Sequence, residues 1–237
     1  MAISLPAPAM AAPKAYDQPT LNGAWEAFLA HVPTILLIWI ATAVLSGVGL
    51  AVYLLITLVG LGLSGGGSGG EPALSLATAL GQLGQVPFAI LSSLVGVLFV
   101  AVPALHYERG EVISVQDAFA ALLRRPLRYL LAGVLFTLVL TIGFVLCIVP
   151  GIVVALVMPI YVNRIFLTDQ SITDAFAHSF QAVYGSKQGR SYAGVEILAW
   201  LLVLVVSVCT CGLGALLAVP VSSFYLQNAA YHKGVIS

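Results

Sequence analysis

The four histidines, His31, His106, His178 and His232, are the side chains best suited to acid–base or metal chemistry, because imidazole titrates near neutrality. No two of them have the spacing that places a ligand pair on one helix face, so no metal centre is expected. His178 and Ser179 share a short stretch with Asp174, yet neighbours along a helix do not face each other, and no Gly-x-Ser-x-Gly nucleophile motif occurs. Arg164, Asp169 and Glu196 stand near the ends of apolar runs, where long side chains snorkel to an interface. An ion pair is expected there, Arg164 joining Glu196 or Asp169. Cys147, Cys209 and Cys211 fit two roles: small apolar packing residues, or a disulfide between two turns in an oxidising compartment. The run Leu63-Ser64-Gly65-Gly66-Gly67-Ser68-Gly69-Gly70 lacks the Lys-Ser/Thr of a phosphate loop. It reads as a flexible extracytoplasmic linker. None of these groups assembles a catalytic constellation, so neither an enzyme nor a cofactor is expected.

The elements carrying these residues are apolar. Hydrophobic residues make up 60% of the chain and charged ones 8%, with mean hydropathy +1.06; soluble domains carry about 25% charged residues. Runs approaching the spanning length of about 18 residues cover Ile35–Val59, Phe88–Leu105, Leu127–Val149, Ile152–Phe166, Ile197–Val208 and Leu213–Ala230. The fifth reaches that length only if it begins near Tyr192 and takes in Glu196. Six alternating spans put all nine basic residues on one side: Lys14; Arg109, Arg124, Arg125 and Arg128; Arg164, Lys187 and Arg190; and Lys233. The opposite loops carry none, so both termini are expected in the cytoplasm. Met1–Pro19, rich in Pro and Ala, reads as a flexible cytoplasmic arm rather than a secretory signal.

A short pattern recurs at Thr20–Trp25, Ser114–Phe119 and Ser171–Phe176. Each copy starts with an N-cap residue, and Asp117 and Asp174 suit the positive start of a helix. Apolar residues follow at helical spacing: Trp25, Phe28, Leu29 and Val32; Phe119, Leu122 and Leu123; Phe176, Phe180 and Val183. Short helices of this kind are expected along the cytoplasmic interface with that stripe inward. A second recurrence is Pro103, Pro159 and Pro220, each inside an apolar run, where proline should kink a helix. The fold class that follows is all-α: a polytopic membrane protein with six transmembrane helices in three repeats of interfacial helix plus helical hairpin. Its domains are an arm over 1–19 and a membrane domain over 20–237, with repeats at about 20–113, 114–170 and 171–237. The three kinked helices either pack as a plain bundle or line a shared groove. Gly143, Gly151, Gly212 and Gly214, with Ala43-x-x-x-Gly47 and Ser92-x-x-x-Gly96, offer small surfaces for close helix contact.

Tyr107–Tyr231 resembles the YciC-like group of bacterial integral membrane proteins, itself similar to the membrane domain of some glycerophosphodiester phosphodiesterases. The residues that carry it are Glu108-Arg109-Gly110-Glu111, Asp117–Phe119, Ile148-Val149-Pro150-Gly151-Ile152, Asp169, Asp174-Ala175-Phe176 with Ser179, and Cys211-Gly212-Leu213-Gly214 before Val219-Pro220. The resemblance implies a polytopic fold in the bacterial cytoplasmic membrane and brings no established activity. The expected function is a non-enzymatic accessory or scaffold protein that binds membrane lipids or a membrane-protein partner. The alternative is a transporter or channel for a small apolar or amphiphilic solute. Arg124, Arg125 and Arg128 cluster enough to meet anionic lipid headgroups. The excess of positive charge around them is too small for nucleic acid.

Overall fold

Where a run is almost wholly Leu, Val, Ile and Ala, an apolar setting leaves helix as the form that satisfies the backbone from within. The structure, a computed structural model, describes residues 12–63 and 71–236, and every regular element among them is helical. A 3-10 turn at Pro13–Tyr16 precedes α1 (Leu21–Ala30), α2 (Val32–Leu63), α3 (Glu71–Gly96) and α4 (Leu98–Arg109). There follow α5 (Val115–Arg124), α6 (Pro126–Leu146), α7 (Ile148–Ala155), α8 (Met158–Leu167), α9 (Ile172–Tyr184), α10 (Lys187–Cys209) and α11 (Ala215–His232). The linker expected at Leu63–Gly70 lies outside the described residues beyond Leu63.

Among the described residues, five stretches are long and apolar enough to cross a membrane: Val32–Gly62, Leu74–Arg109, Pro126–Leu146, Ile148–Leu167 and Lys187–Cys209. All five differ from the expected bounds, three of them for a structural reason. The second begins before Phe88, because Leu74–Gly84 is already helical and apolar enough to join it. The fourth begins at Ile148 and is broken in two, α7 and α8, at Leu156–Val157. That break falls just before Pro159, whose ring displaces the carbonyl one turn back. The fifth starts at Lys187, where Ser186 caps it by accepting from Gly189 N at 2.9 Å; it therefore takes in Glu196. The run Leu213–Ala230 is the helix α11, which is not among these five. Ser222, Ser223, Gln227 and Asn228 lower its hydropathy, and its C-terminal half is buried.

Two compact units are present, one of residues up to Ile35 together with Val97 onward, the other Leu36–Gly96. In the second, the bodies of α2 and α3 meet through small residues. Ser46 and Ser92 hydroxyls lie 2.9 Å apart, and a Cβ on Gly49 would sit 3.0 Å from Phe88 Cβ. Gly81 and Gly84 approach Tyr53 and Ile56 as closely, whereas Gly47 faces nothing within 4 Å. The expected Ala43-x-x-x-Gly47 surface is thus displaced to Gly49. In the first unit, α6 and α7 touch where Gly143 meets Gly151, at 3.1 Å from an added Cβ. Long apolar side chains cover the outer faces of α6 and α10, with Val145 80% and Val208 70% exposed. That is a surface for hydrocarbon, not for water.

The N-terminal arm is not free where it is described. Ala15 is fully buried, and Asn228 of α11 donates to the carbonyls of Ala15 (2.8 Å) and Asp17 (3.2 Å). The Tyr16 carbonyl lies 2.9 Å from His232 Nδ1, and the Tyr16 ring sets its edge against Tyr231. Composition suggests flexibility for this segment; the amide of Asn228 fixes it by satisfying its backbone. The remainder of the arm lies outside the described residues.

Candidate functional site

The three helices that carry the recurrent prolines, α4, α8 and α11, pack against one another. Pro103, Pro159 and Pro220 are all buried there. The chain breaks at Val97 ahead of Pro103 and at Leu156–Val157 ahead of Pro159, while α11 runs unbroken through Pro220. Leu98, Val102, Val157, Ile160 and Phe224 fill the space between them, each fully buried. This is a filled core rather than a groove.

The helices that begin at the recurrent pattern pack on these three. α5 lies on α4, α9 on α8 and α1 on α11. Their caps are formed as the pattern predicts. Thr20 accepts from Gly23 N at 3.0 Å, and Ser114 and Ser171 accept from Asp117 N and Asp174 N at 3.1 Å. Each of the two serines also donates to the aspartate carboxylate at 2.6 Å. The inward face matches expectation in part: Phe28, Leu122 and Val183 of the apolar stripe are buried, at 4%, 3% and 0% exposure. Ala24, Ala118 and Ala175 are buried beside them, at 2%, 0% and 0%, whereas Trp25, Leu29 and Leu123 face outward. Alanine lets the helix approach closely; the larger neighbours then cover the seam.

Inside this core lies a chain of polar groups. Asn163 of α8 donates to Gln227 Oε1 at 3.2 Å and to Tyr231 Oη at 3.3 Å. Gln227 Nε2 donates to the Pro159 carbonyl at 3.0 Å, and the Tyr231 hydroxyl donates to Glu108 Oε2 at 2.9 Å. Asn163, Gln227 and Tyr231 are at most 2% exposed. All three proline-bearing helices contribute, so the network ties α4, α8 and α11 together at their common seam. Buried amides demand such partners, since an unpaired one costs about 1–3 kcal/mol.

A second constellation surrounds His31. Its Nδ1 lies 2.7 Å from the Ala27 carbonyl and its Nε2 accepts from Ile113 N at 2.9 Å. Thr34 Oγ1 donates to the carbonyl of the same Ile113 at 3.0 Å. The neutral tautomer with its proton on Nδ1 satisfies both contacts; a doubly protonated ring would oppose the Ile113 N–H. Burial holds His31 below the ordinary imidazole range, with the nearby His106 adding to the effect. The His31 and His106 rings meet at 4.8 Å, and both touch Phe224. His106 Nδ1 lies 2.8 Å from the Glu111 carbonyl. Two of the four histidines thus come together, as structural groups. Among the described residues no His, Cys, Asp and Glu cluster could hold a metal ion.

The expected ion pair is not made. Asp169 pairs instead with Arg125 through its Nη1, and Arg128 Nη2 donates to the Thr168 carbonyl at 2.9 Å. These two arginines fasten the turn after α8; Arg124 and Arg125 are exposed and Arg128 is half-buried. Arg164 Nε is buried without a hydrogen-bond partner, and so are both carboxylate oxygens of Glu196 and the Tyr192 hydroxyl one turn before it. Glu196 is fully buried on α10, and among the described residues no counter-charge pairs with it. Cys147, Cys209 and Cys211 are free thiols, all exposed. Cys211 holds a positive φ of 52° in the turn before α11.

Sequence reasoning passed over Asn163, Gln227, Asn228 and Tyr231. The signal was available: an amide in the middle of Tyr161–Phe166 and a pair of amides within Phe224–Tyr231 interrupt otherwise apolar runs. These features define an all-helical protein whose longest helices suit a bilayer. No family model matches the chain, and neither a curated protein nor a solved structure does so.

Proposed function

We propose that the chain is a multi-pass protein of the bacterial cytoplasmic membrane, YciC-like, with six spans in three repeats and both termini cytoplasmic. It acts without catalysis, as an accessory or scaffold protein that binds lipid or a membrane-protein partner. The repeat reading is supported by the packing order: α5 lies on α4, α9 on α8, and α1 on α11, which closes the same relation around the core. Orientation is supported by the basic residues, which six alternating spans gather on one side.

The observation that carries the functional reading is the filled seam of α4, α8 and α11. A transporter needs a polar-lined path, and here the proline-bearing helices close on Val102, Val157, Ile160 and Phe224. The apolar faces outside that seam, such as Leu131 and Leu198, are left for lipid or a partner helix. The test is a photo-crosslinking residue placed at Leu131 or Leu198 in the native membrane. A single discrete protein or lipid adduct is the expected result; a smear of bulk lipid at both positions counts against the scaffold role. The transport alternative rests on the buried amides Asn163 and Gln227, and solute flux in proteoliposomes that is lost in Gln227→Leu would establish it.

A further inference from the structure

An open depression of about 460 Å³ lies where the end of α8 faces α9, lined by Arg164, Gln170, His178, Gln181 and Ala182. Its lining holds a guanidinium, an imidazole and two carboxamides, and no carboxylate. Arg164 comes from the last turn of α8. Its Nε is buried with no acceptor, and the acid nearest in sequence, Asp169, is held by Arg125. His178 Nδ1 stands 3.4 Å from Gln170 Oε1, too long a contact to engage either group fully. Among the described residues, no carboxylate pairs with the guanidinium of this depression.

Arg164 closes the apolar stretch Ile148–Leu167, so in a spanning helix its guanidinium lies at the level of the polar headgroups. A guanidinium presents a planar fork of donors that fits two phosphate oxygens at once, and such charge-assisted pairs are about twice as strong as neutral hydrogen bonds.

We propose that this depression binds the phosphate of a phosphate ester, with Arg164 making the charged contact and Gln170, His178 and Gln181 supplying the remaining donors. The source is either the headgroup of an anionic phospholipid or a free phosphate from the aqueous side. The site is separate from Arg124, Arg125 and Arg128. It goes beyond the accessory reading and stands equally for a transporter.

The test uses the full chain in mild detergent, read by thermal unfolding and by native mass spectrometry. The probes are inorganic phosphate, a short-chain phosphatidylglycerol and a diacylglycerol with the same chains. Phosphatidylglycerol should raise Tm and remain bound one to one, diacylglycerol should do neither, and Arg164→Gln should weaken binding at least about tenfold. Arg109→Gln should bind as the native chain does. A response to inorganic phosphate as well assigns a free anion; a response to phosphatidylglycerol alone assigns a lipid. If Arg164→Gln fails to fold, the double variant His178→Ala/Gln181→Ala, on exposed positions of α9, should show the same loss. Equal retention of diacylglycerol and phosphatidylglycerol, or native-like binding by these variants, overturns the proposal. Neither result touches the crosslinking outcome, so the two readings fail separately.

Discussion

Replacing His31 tests whether its ring holds the segment before α5 in place. His31→Ala removes the acceptor of Ile113 N–H, a backbone group on a residue only 2% exposed. Leaving that donor unpaired costs about 1–3 kcal/mol. Loss of the Ala27 contact adds about 0.5–1.5 kcal/mol, and the vacated ring space against His106 and Phe224 adds about 1–2 kcal/mol, below the range for deleting a larger aromatic ring. Together these come to about 2.5–6.5 kcal/mol, which corresponds to a Tm lowered by about 5–26 °C for a chain of this size. His31→Gln keeps an oxygen able to accept from Ile113 N and should lose less than half as much. Fluorescence-monitored unfolding in mild detergent reads both. The pH dependence has a definite sign. His31 is held below its unfolded value of about 6.5, so below that pH the unfolded chain binds more protons and stability falls. Its contribution is full above about pH 6.5 and declines as the pH drops from there toward the folded value; His31→Gln should flatten that decline. If His31→Ala costs less than about 1 kcal/mol, or if Gln is no better than Ala, the clamp does not hold the segment.

Gln227→Leu should cost about 1–3 kcal/mol by leaving Asn163 and the Pro159 carbonyl short of a partner, and Asn163→Leu/Gln227→Leu should recover part of that loss; a double-mutant cycle in Tm checks it. Ser114→Ala and Ser171→Ala should each cost about 1 kcal/mol through loss of the N-cap, and their effects should add because α5 and α9 cap independently. Gly189→Leu should prevent α9 and α10 from closing, since a Cβ there meets the Ala182 and Val183 carbonyls; loss of the folded fraction on size exclusion checks it. A membrane-impermeant maleimide applied from the extracytoplasmic side should label the native chain at its exposed thiols. Labelling only after the cytoplasmic side is opened would reverse the proposed orientation.

The capped helices were legible because a cap is local chemistry: Ser114 with Asp117 and Ser171 with Asp174 need only a three-residue spacing, and the hydrogen bonds form within it. The long spans were legible for a similar reason, as hydropathy is a property of each run. Which face of a short helix points inward was legible only in part. Phe28, Leu122 and Val183 of the apolar stripe are buried, but Trp25 is exposed and Phe119 and Phe176 are half-buried, while the small alanine before each of these reaches zero or near-zero exposure because it permits close contact. The ion pair failed on geometry that composition cannot express. Asp169 is five residues from Arg164 in sequence, yet the turn after α8 delivers it to Arg125. The described end of the arm, residues 12–19, looks free until Asn228, more than two hundred positions away, donates to the Ala15 and Asp17 carbonyls.

The buried amides explain why α11 departs from the other apolar helices. A helix facing hydrocarbon cannot carry Gln227 and Asn228 without large cost, since nothing there answers their donors. α11 is enclosed by α1, α4, α8 and α10 instead, and each of its amides has a specific acceptor: the Pro159 carbonyl for Gln227, the Ala15 and Asp17 carbonyls for Asn228. A purely apolar seam would let three similar helices slide or exchange places, because one leucine surface packs on another in many registers. The contacts from Asn163 to Gln227 and Tyr231, and from Tyr231 to Glu108, are met in one register only. On that account the network sets alignment more than it adds stability, and the double leucine variant should melt between Gln227→Leu and the native chain while losing a single well-defined disulfide-trapping pattern between cysteines engineered into α8 and α11.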